Sequence, residues 1–350
     1  MNLRPLGRTG VRVAPLALGC MNFGGRADEA TATGILDRAL DAGVTLVDTA
    51  DVYGHDPADM MVGQGRSEEI LGRALERGGR RGRVVLATKA FFPTSGDPND
   101  QGSSRRHLIT ACEASLRRLR VDHIDLFQLH HPSNDVPIDE TLRALDDLVR
   151  AGKVRYLGTS AFGAWQIVES LWASATLGLH RFVTEQPPYH LLDRRAEREL
   201  VPMARSHGIA VLPWSPTAGG FLTGRYRRGQ PPPAGSRFDT FWAGGRDEQF
   251  TDPAFDVLDV VVALAAEKGC TPAQLALAWC AAQPGITAPI IGPRTLEQLE
   301  DSLGALDVTI TADDTARIDA VAPPGRATVP YYGADGFAWT TWGPHTHHWP

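Results

Sequence analysis

Between residues 13 and 291 the chain repeats one unit, a short apolar run followed by an amphipathic stretch. The apolar runs lie near 13–19, 45–49, 84–89, 124–130, 154–160, 181–186, 210–215 and 288–291. Amphipathic stretches fall near 28–42, 67–78, 104–120, 139–151, 164–177 and 196–207, and a last helix is expected near 295–305. Strands that alternate with helices run parallel, because each helix carries the chain back to the end where the previous strand began. Eight of them predict an α/β fold of the closed (β/α)8 TIM-barrel type. An open doubly wound sheet would normally carry a GxGxxG turn after its first strand, and GCMNFGG at residues 19–25 does not match. Residues 3–14 alternate around Gly7, Arg8, Thr9 and Gly10, which reads as an N-terminal β-hairpin closing the barrel floor.

A chain of 350 residues with 43% hydrophobic content is long enough for one full core, so residues 1–322 are expected to form the barrel and 323–350 a tail of the same domain. Its net charge of −6, with 35 basic residues dispersed along the chain, offers no nucleic-acid footprint and no basic block for a membrane surface. The four cysteines, Cys20, Cys112, Cys270 and Cys280, make no CxxC pair and are too few to staple a chain this long, which predicts reduced thiols and a cytoplasmic setting. There is no apolar leader at residues 1–5 and no run approaching about 18 apolar residues. The expected partner is a small molecule, not a membrane or nucleic acid; assembly with further copies of the chain stays open.

In such a barrel, chemistry belongs at the C-terminal ends of the strands. Three successive strands end in Asp48, Lys89 and His130, and Tyr53 lies on the loop just beyond Asp48. Any one of these could simply face water. Together they form a proton-donating set: Asp48 holds Lys89 charged, Lys89 is expected to lower the pKa of Tyr53 from its ordinary value of about 10, and His130 hydrogen-bonds the oxygen that Tyr53 protonates. That suits reduction of an aldehyde or ketone. The stretches DTADVYG, ATKA and QLHHP resemble the motifs that carry the Asp, Tyr, Lys and His of the aldo-keto reductases. His130 rather than His131 fits the family's position two before Pro132, and alternation would turn His131 to the other face.

The cofactor reading starts at the eighth strand. Thr295 and Gln298 have capping-box spacing, which places Gly292 and Arg294 at a helix N-terminus, where free N–H groups and the helix dipole favour phosphate. A guanidinium there suits the 2′-phosphate of NADPH, which NADH lacks. IIGPRTLEQLEDSL is similar to the segment with which aldo-keto reductases grip the adenosine phosphate, with Ser302 where relatives often carry Asn. The same resemblance implies that Ser160 and Gln186 hold the nicotinamide carboxamide, with Ala161 in place of the family's Asn, and that Trp214, in Trp214-Ser215-Pro216, stacks on the nicotinamide ring.

Three long segments are expected to set specificity for a substrate bulkier than a short aldehyde, such as a polyketide-type or sugar ketone: residues 54–65, residues 219–251 with Phe238, Phe241 and Trp242, and the aromatic tail with Tyr331, Tyr332, Phe337, Trp339, Trp342 and Trp349, which equally suits packing on the barrel's outside or on a neighbouring subunit. His345, His347 and His348 lack the accompanying ligand set of a metal site. Two other functions compete: a Schiff-base aldolase acting through Lys89, and a cofactor-binding redox sensor or scaffold subunit without catalysis.

Overall fold

The computed structural model describes residues 2–54, 63–133, 135–240 and 249–329. Strands β1 (Arg4–Pro5) and β2 (Arg12–Val13) pair antiparallel as the expected hairpin. Eight strands follow: β3 (Ala17–Gly19), β4 (Leu46–Asp48), β5 (Val85–Ala90), β6 (Ile124–Leu129), β7 (Val154–Ser160), β8 (Phe182–Gln186), β9 (Ala210–Val211) and β10 (Ile290–Ile291). All pair in parallel in the order β10-β3-β4-β5-β6-β7-β8-β9. The ring closes where Thr287 N donates to Val211 O at 2.8 Å and Ile290 N to Pro213 O at 2.8 Å. This is the (β/α)8 barrel the alternating pattern predicts.

The helices α1 (Glu29–Asp41), α2 (Arg66–Leu75), α3 (Arg105–Leu119), α4 (Ile138–Arg150), α5 (Ala164–Leu177) and α6 (Leu200–His207) coat its outside. Side-chain caps fix where some of them start: Asp28 accepts from Thr31 N and Ser104 from His107 N. Leu6 and Val13 of the hairpin region pack with Ala17, Leu46, Ala87, Leu126, Ala210 and Ala288 of the barrel interior, so the hairpin plugs the floor. Higher up the interior is tight. A Cβ on Gly158 would come within 2.2 Å of Thr184 Oγ1 and 2.9 Å of Gln128 Cγ, so only glycine fits there.

The structure departs from the sequence reading in the last third. Helices Asp252–Lys268 and Pro272–Ala282, unforeseen, lie between β9 and β10, and a further helix, Ala312–Val321, follows Leu296–Gly304. Within 219–251, expected to be irregular, Ala218–Thr223 and Arg237–Thr240 are helical turns. Phe238 does not cover a pocket. It is fully buried in a ring cluster, its centroid 6.5 Å from that of Phe221, 5.3 Å from Tyr226 and 5.2 Å from Phe250. Such edge-on aromatic packing anchors the segment from below. Residues 55–62, Phe241, Trp242, the tail aromatics and the three tail histidines lie outside the described residues. The chain leading into the tail is fastened, with Thr328 N and Val329 N both donating to Leu192 O.

Candidate active site

Because β4, β5 and β6 are adjacent in the ring, their last residues meet at one mouth. Lys89 Nζ lies 2.5 Å from Asp48 Oδ2, donates to Thr49 O at 2.8 Å, and stands 3.4 Å from Tyr53 Oη. Tyr53 Oη is also 3.4 Å from His130 Nε2, and the two rings meet edge to face at 80°. The structure thus brings all four expected residues together. Asp48 and Lys89 are buried, 3% and 1% exposed, while Tyr53 and His130 are half-buried. The charged pair is thus buried beneath the more exposed phenol. His131 turns away as alternation requires. Its Nδ1 lies 2.8 Å from Pro132 O.

Asp48 is held by more than the lysine. Gln128 Nε2 donates to its Oδ1 at 3.0 Å and Gln186 Nε2 at 2.7 Å, while Gln186 also donates to Gln128 Oε1 at 2.8 Å. Gln128 was not singled out from the sequence. Its signal was there, a lone amide two residues before His130 in an apolar strand. The tyrosine loop has its own anchors. Ser67 N donates to Tyr53 O, Ser67 Oγ to Cys20 O, and the buried Glu68 accepts from Thr88 Oγ1 at 2.6 Å and Arg118 Nε at 2.7 Å. Gly54, at φ 92°, would place a Cβ 2.8 Å from Ser67 N, so glycine is required just after the phenol.

The electrostatics correct one expectation. Burial, the largest influence, raises the pKa of Tyr53, and the opposing pull of Lys89 does not overcome it. The phenol is therefore held protonated rather than poised towards phenolate. Burial works against the charge on Lys89, but Asp48 and Tyr53 outweigh it and its pKa ends above the ordinary value. His130 is driven well below the usual histidine range by burial first and then by Lys89, so it is neutral.

The expected cofactor residues line the same mouth from β7 to β10. Ser160 Oγ and Trp214 Nε1 both donate to Gln186 O, at 3.1 and 3.0 Å. Ser215 follows in the left-handed region, at φ 53°. Gly292 O accepts from Asn22 Nδ2 at 2.8 Å. Thr295 caps its helix, but the capping box is only half formed. Gln298 Oε1 reaches past Thr295 to accept from Arg294 N at 2.9 Å, which fixes the backbone leading into that helix. Three further arginines gather here that the sequence reading did not mark. Arg294 is disfavoured as a cation by burial and then by Arg225 and Arg237, and Arg26 by burial and then by Arg294 and Arg237. Arg26 donates to Thr240 Oγ1 at 3.0 Å, and none of Arg26, Arg225 and Arg294 pairs with a carboxylate among the described residues. Guanidiniums gathered this way could hold a ligand bearing several phosphate charges.

A sequence profile described as "Aldo/keto reductase family" matches residues 15–323. The chain belongs to the aldo/keto reductase family. It is 41% identical over 345 residues to "Uncharacterized oxidoreductase YrpG" of Bacillus subtilis (strain 168), covering 95% of this chain and 98% of that protein. It is 37% identical over 312 residues to "Probable voltage-gated potassium channel subunit beta" of Arabidopsis thaliana, covering 88% and 92% respectively. With "Versiconal hemiacetal acetate reductase" of Aspergillus parasiticus it shares 31% identity over 338 residues, covering 90% and 95%. Membership and these relatives make this aldo/keto reductase an oxidoreductase of the carbonyl-reducing type. Among its described residues no single helix is long and apolar enough to cross a membrane.

Proposed function

We propose that this protein reduces an aldehyde or ketone to an alcohol with NADPH, Tyr53 donating the proton. The observation that carries the reading is the phenol flanked at 3.4 Å by the Lys89 ammonium on one side and His130 Nε2 on the other. A bound nicotinamide cofactor would supply the hydride. The protein supplies the rest. Tyr53, neutral in the free enzyme, has a proton to give, and the adjacent cation, kept charged by Asp48, stabilises the phenolate left behind. Neutral His130 directs the carbonyl by hydrogen bonding and brings no second charge. The contacts of 3.4 Å from the phenol are long for hydrogen bonds and are expected to shorten around a substrate.

Ser160 and Gln186 would hold the carboxamide, Trp214 and Ser215 the nicotinamide side, and Gly292, Arg294 and Gln298 the adenosine end. The convergence of Arg26, Arg225 and Arg237 on Arg294 favours the more highly phosphorylated NADPH over NADH. The aromatic walls, including Phe92 whose ring lies 4.8 Å from that of His130, favour a bulky ketone, in line with the hemiacetal named for the Aspergillus relative. The potassium-channel name of the Arabidopsis relative favours a second reading, in which the chain binds cofactor and serves another protein as a subunit. A Schiff-base aldolase is disfavoured, since an amine held protonated in a buried ion pair is a poor nucleophile. NADPH consumption across a panel of aldehydes and ketones tests the proposal. Turnover on at least one bulky carbonyl is expected, whereas tight NADPH binding with no turnover on any would favour the subunit reading.

A further inference from the structure

Glu185 has no part in the chemistry above, yet it is a fully buried carboxyl directly beside Gln186. Alternation along β8 explains its direction. Thr184 and Gln186 point into the barrel, one against Gly158 and the other onto Asp48, so Glu185 points out towards the helical layer. There it meets the turn that leaves β7. Its Oε1 accepts from Phe162 N at 3.1 Å, and its Oε2 lies 2.5 Å from Thr159 Oγ1. Between those two contacts the chain passes through Ser160 and Ala161.

Ala161 is the reason such a brace is needed. Its φ of 59° lies in the left-handed region. Alanine, unlike glycine or asparagine, adopts that conformation only under strain. Ala161 N donates to Gln186 O at 3.1 Å, the carbonyl that also receives Ser160 Oγ. If the turn relaxed, Ser160 and Gln186 would lose their shared register. We propose that Glu185 is a positioning residue for the cofactor site, its carboxyl pinning the turn over Ser160 and Ala161 from behind and so fixing Ser160 and Gln186 for the nicotinamide carboxamide. The inference rests on the nicotinamide reading of that site.

The proton arrangement follows from the oxygens present. Thr159 Oγ1 lies 3.2 Å from Thr184 O as well as 2.5 Å from Glu185 Oε2. Its single hydrogen can serve only one of them. Both contacts are satisfied when Thr159 donates to Thr184 O and a protonated Glu185 donates to Thr159. Burial agrees, pushing the Glu185 pKa up to about 8 against smaller opposing effects of Thr159 and the Phe162 and Ala161 amides; no charged group among the described residues contributes. A carboxyl whose pKa is raised in the closed turn and ordinary in an opened, hydrated one favours closure at low pH. That preference declines as pH rises towards about 8.

The test is the NADPH dissociation constant of the whole protein, followed by cofactor fluorescence at pH values well below and well above about 8. Glu185→Gln keeps an acceptor for Phe162 N and a donor for Thr159. It should bind like wild type at the lower pH and lack the weakening that wild type shows at the higher one. Glu185→Leu orphans a buried N–H and should bind about ten-fold more weakly at both, with the loss appearing in KM for NADPH more than in kcat. Wild-type affinity in Glu185→Leu, a Glu185→Gln variant as weak as Glu185→Leu, or identical pH dependence in Glu185→Gln and wild type would each overturn the proposal. Should Glu185→Leu fail to fold, the comparison of Glu185→Gln with wild type decides alone. Failure of the wild-type protein to bind NADPH at all would instead overturn the cofactor reading, and this inference with it.

Discussion

Lys89→Met should be destabilising as well as inactivating, and the size of the effect follows from what the ammonium touches. Methionine fills most of the same volume, so the main loss is the charge, which lies 2.5 Å from Asp48 Oδ2 and donates to Thr49 O at 2.8 Å. With Asp48 and Lys89 at 3% and 1% exposure, solvent screens little of this, and breaking a buried pair from one side costs about 3–5 kcal/mol. The amides of Gln128 and Gln186 still donate to Asp48, which argues for the lower figure, about 3 kcal/mol. With an unfolding entropy of about 2.1 cal/mol/K per residue, a chain of 350 residues shifts its Tm by roughly 4 °C for that loss. Adding Asp48→Asn should recover most of it, because the orphaned carboxylate disappears. Because the folded Lys89 pKa lies above its unfolded value, the pair's contribution is fully present below pH about 10 and is lost only as pH rises beyond that. Calorimetric scans of wild type, both single mutants and the double mutant measure this. A Lys89→Met protein melting within about 1 °C of wild type, or a double mutant no better than additive, would refute the buried pair as the centre of the site.

Two further outcomes follow. Arg294→Ala should raise the KM for NADPH by roughly ten- to hundred-fold, the effect of losing about 1.5–3 kcal/mol of charge-assisted bonding, while KM for NADH stays nearly unchanged; equal losses for both cofactors would remove the 2′-phosphate assignment. At saturating NADPH, kcat for reduction should be flat from pH about 6 to about 9, because Tyr53 stays protonated above its ordinary pKa and His130 stays neutral; a fall centred near pH 7–8 would show that Lys89 dominates the phenol after all.

The barrel and the four-residue cluster were legible because both rest on short-range rules. Alternating periods announce parallel strands, and a polar residue ending an apolar strand lies at the mouth wherever that strand lies in the ring. Helix Pro272–Ala282 broke the rule that made the others visible. Its residues 275–280 are buried in succession, so no polar face marks it as an amphipathic helix. Gln128 and the three added arginines were missed for another reason. Their roles depend on neighbours far along the chain, Asp48 for Gln128 and Arg294 for Arg26, and no local spacing encodes that. The phenol's pKa turned on magnitude. Sequence shows that Lys89 lies within reach, but only packing shows that burial outweighs it.

Everything proposed for catalysis depends on Tyr53, and Tyr53→Phe isolates its proton while preserving the ring that packs edge to face on His130. Single-turnover reduction of a carbonyl substrate by enzyme preloaded with NADPH measures the chemical step free of product release. The rate should fall by about 10²–10⁴ while the NADPH dissociation constant stays within a few-fold of wild type. An unchanged single-turnover rate would place the proton donor elsewhere in the barrel mouth.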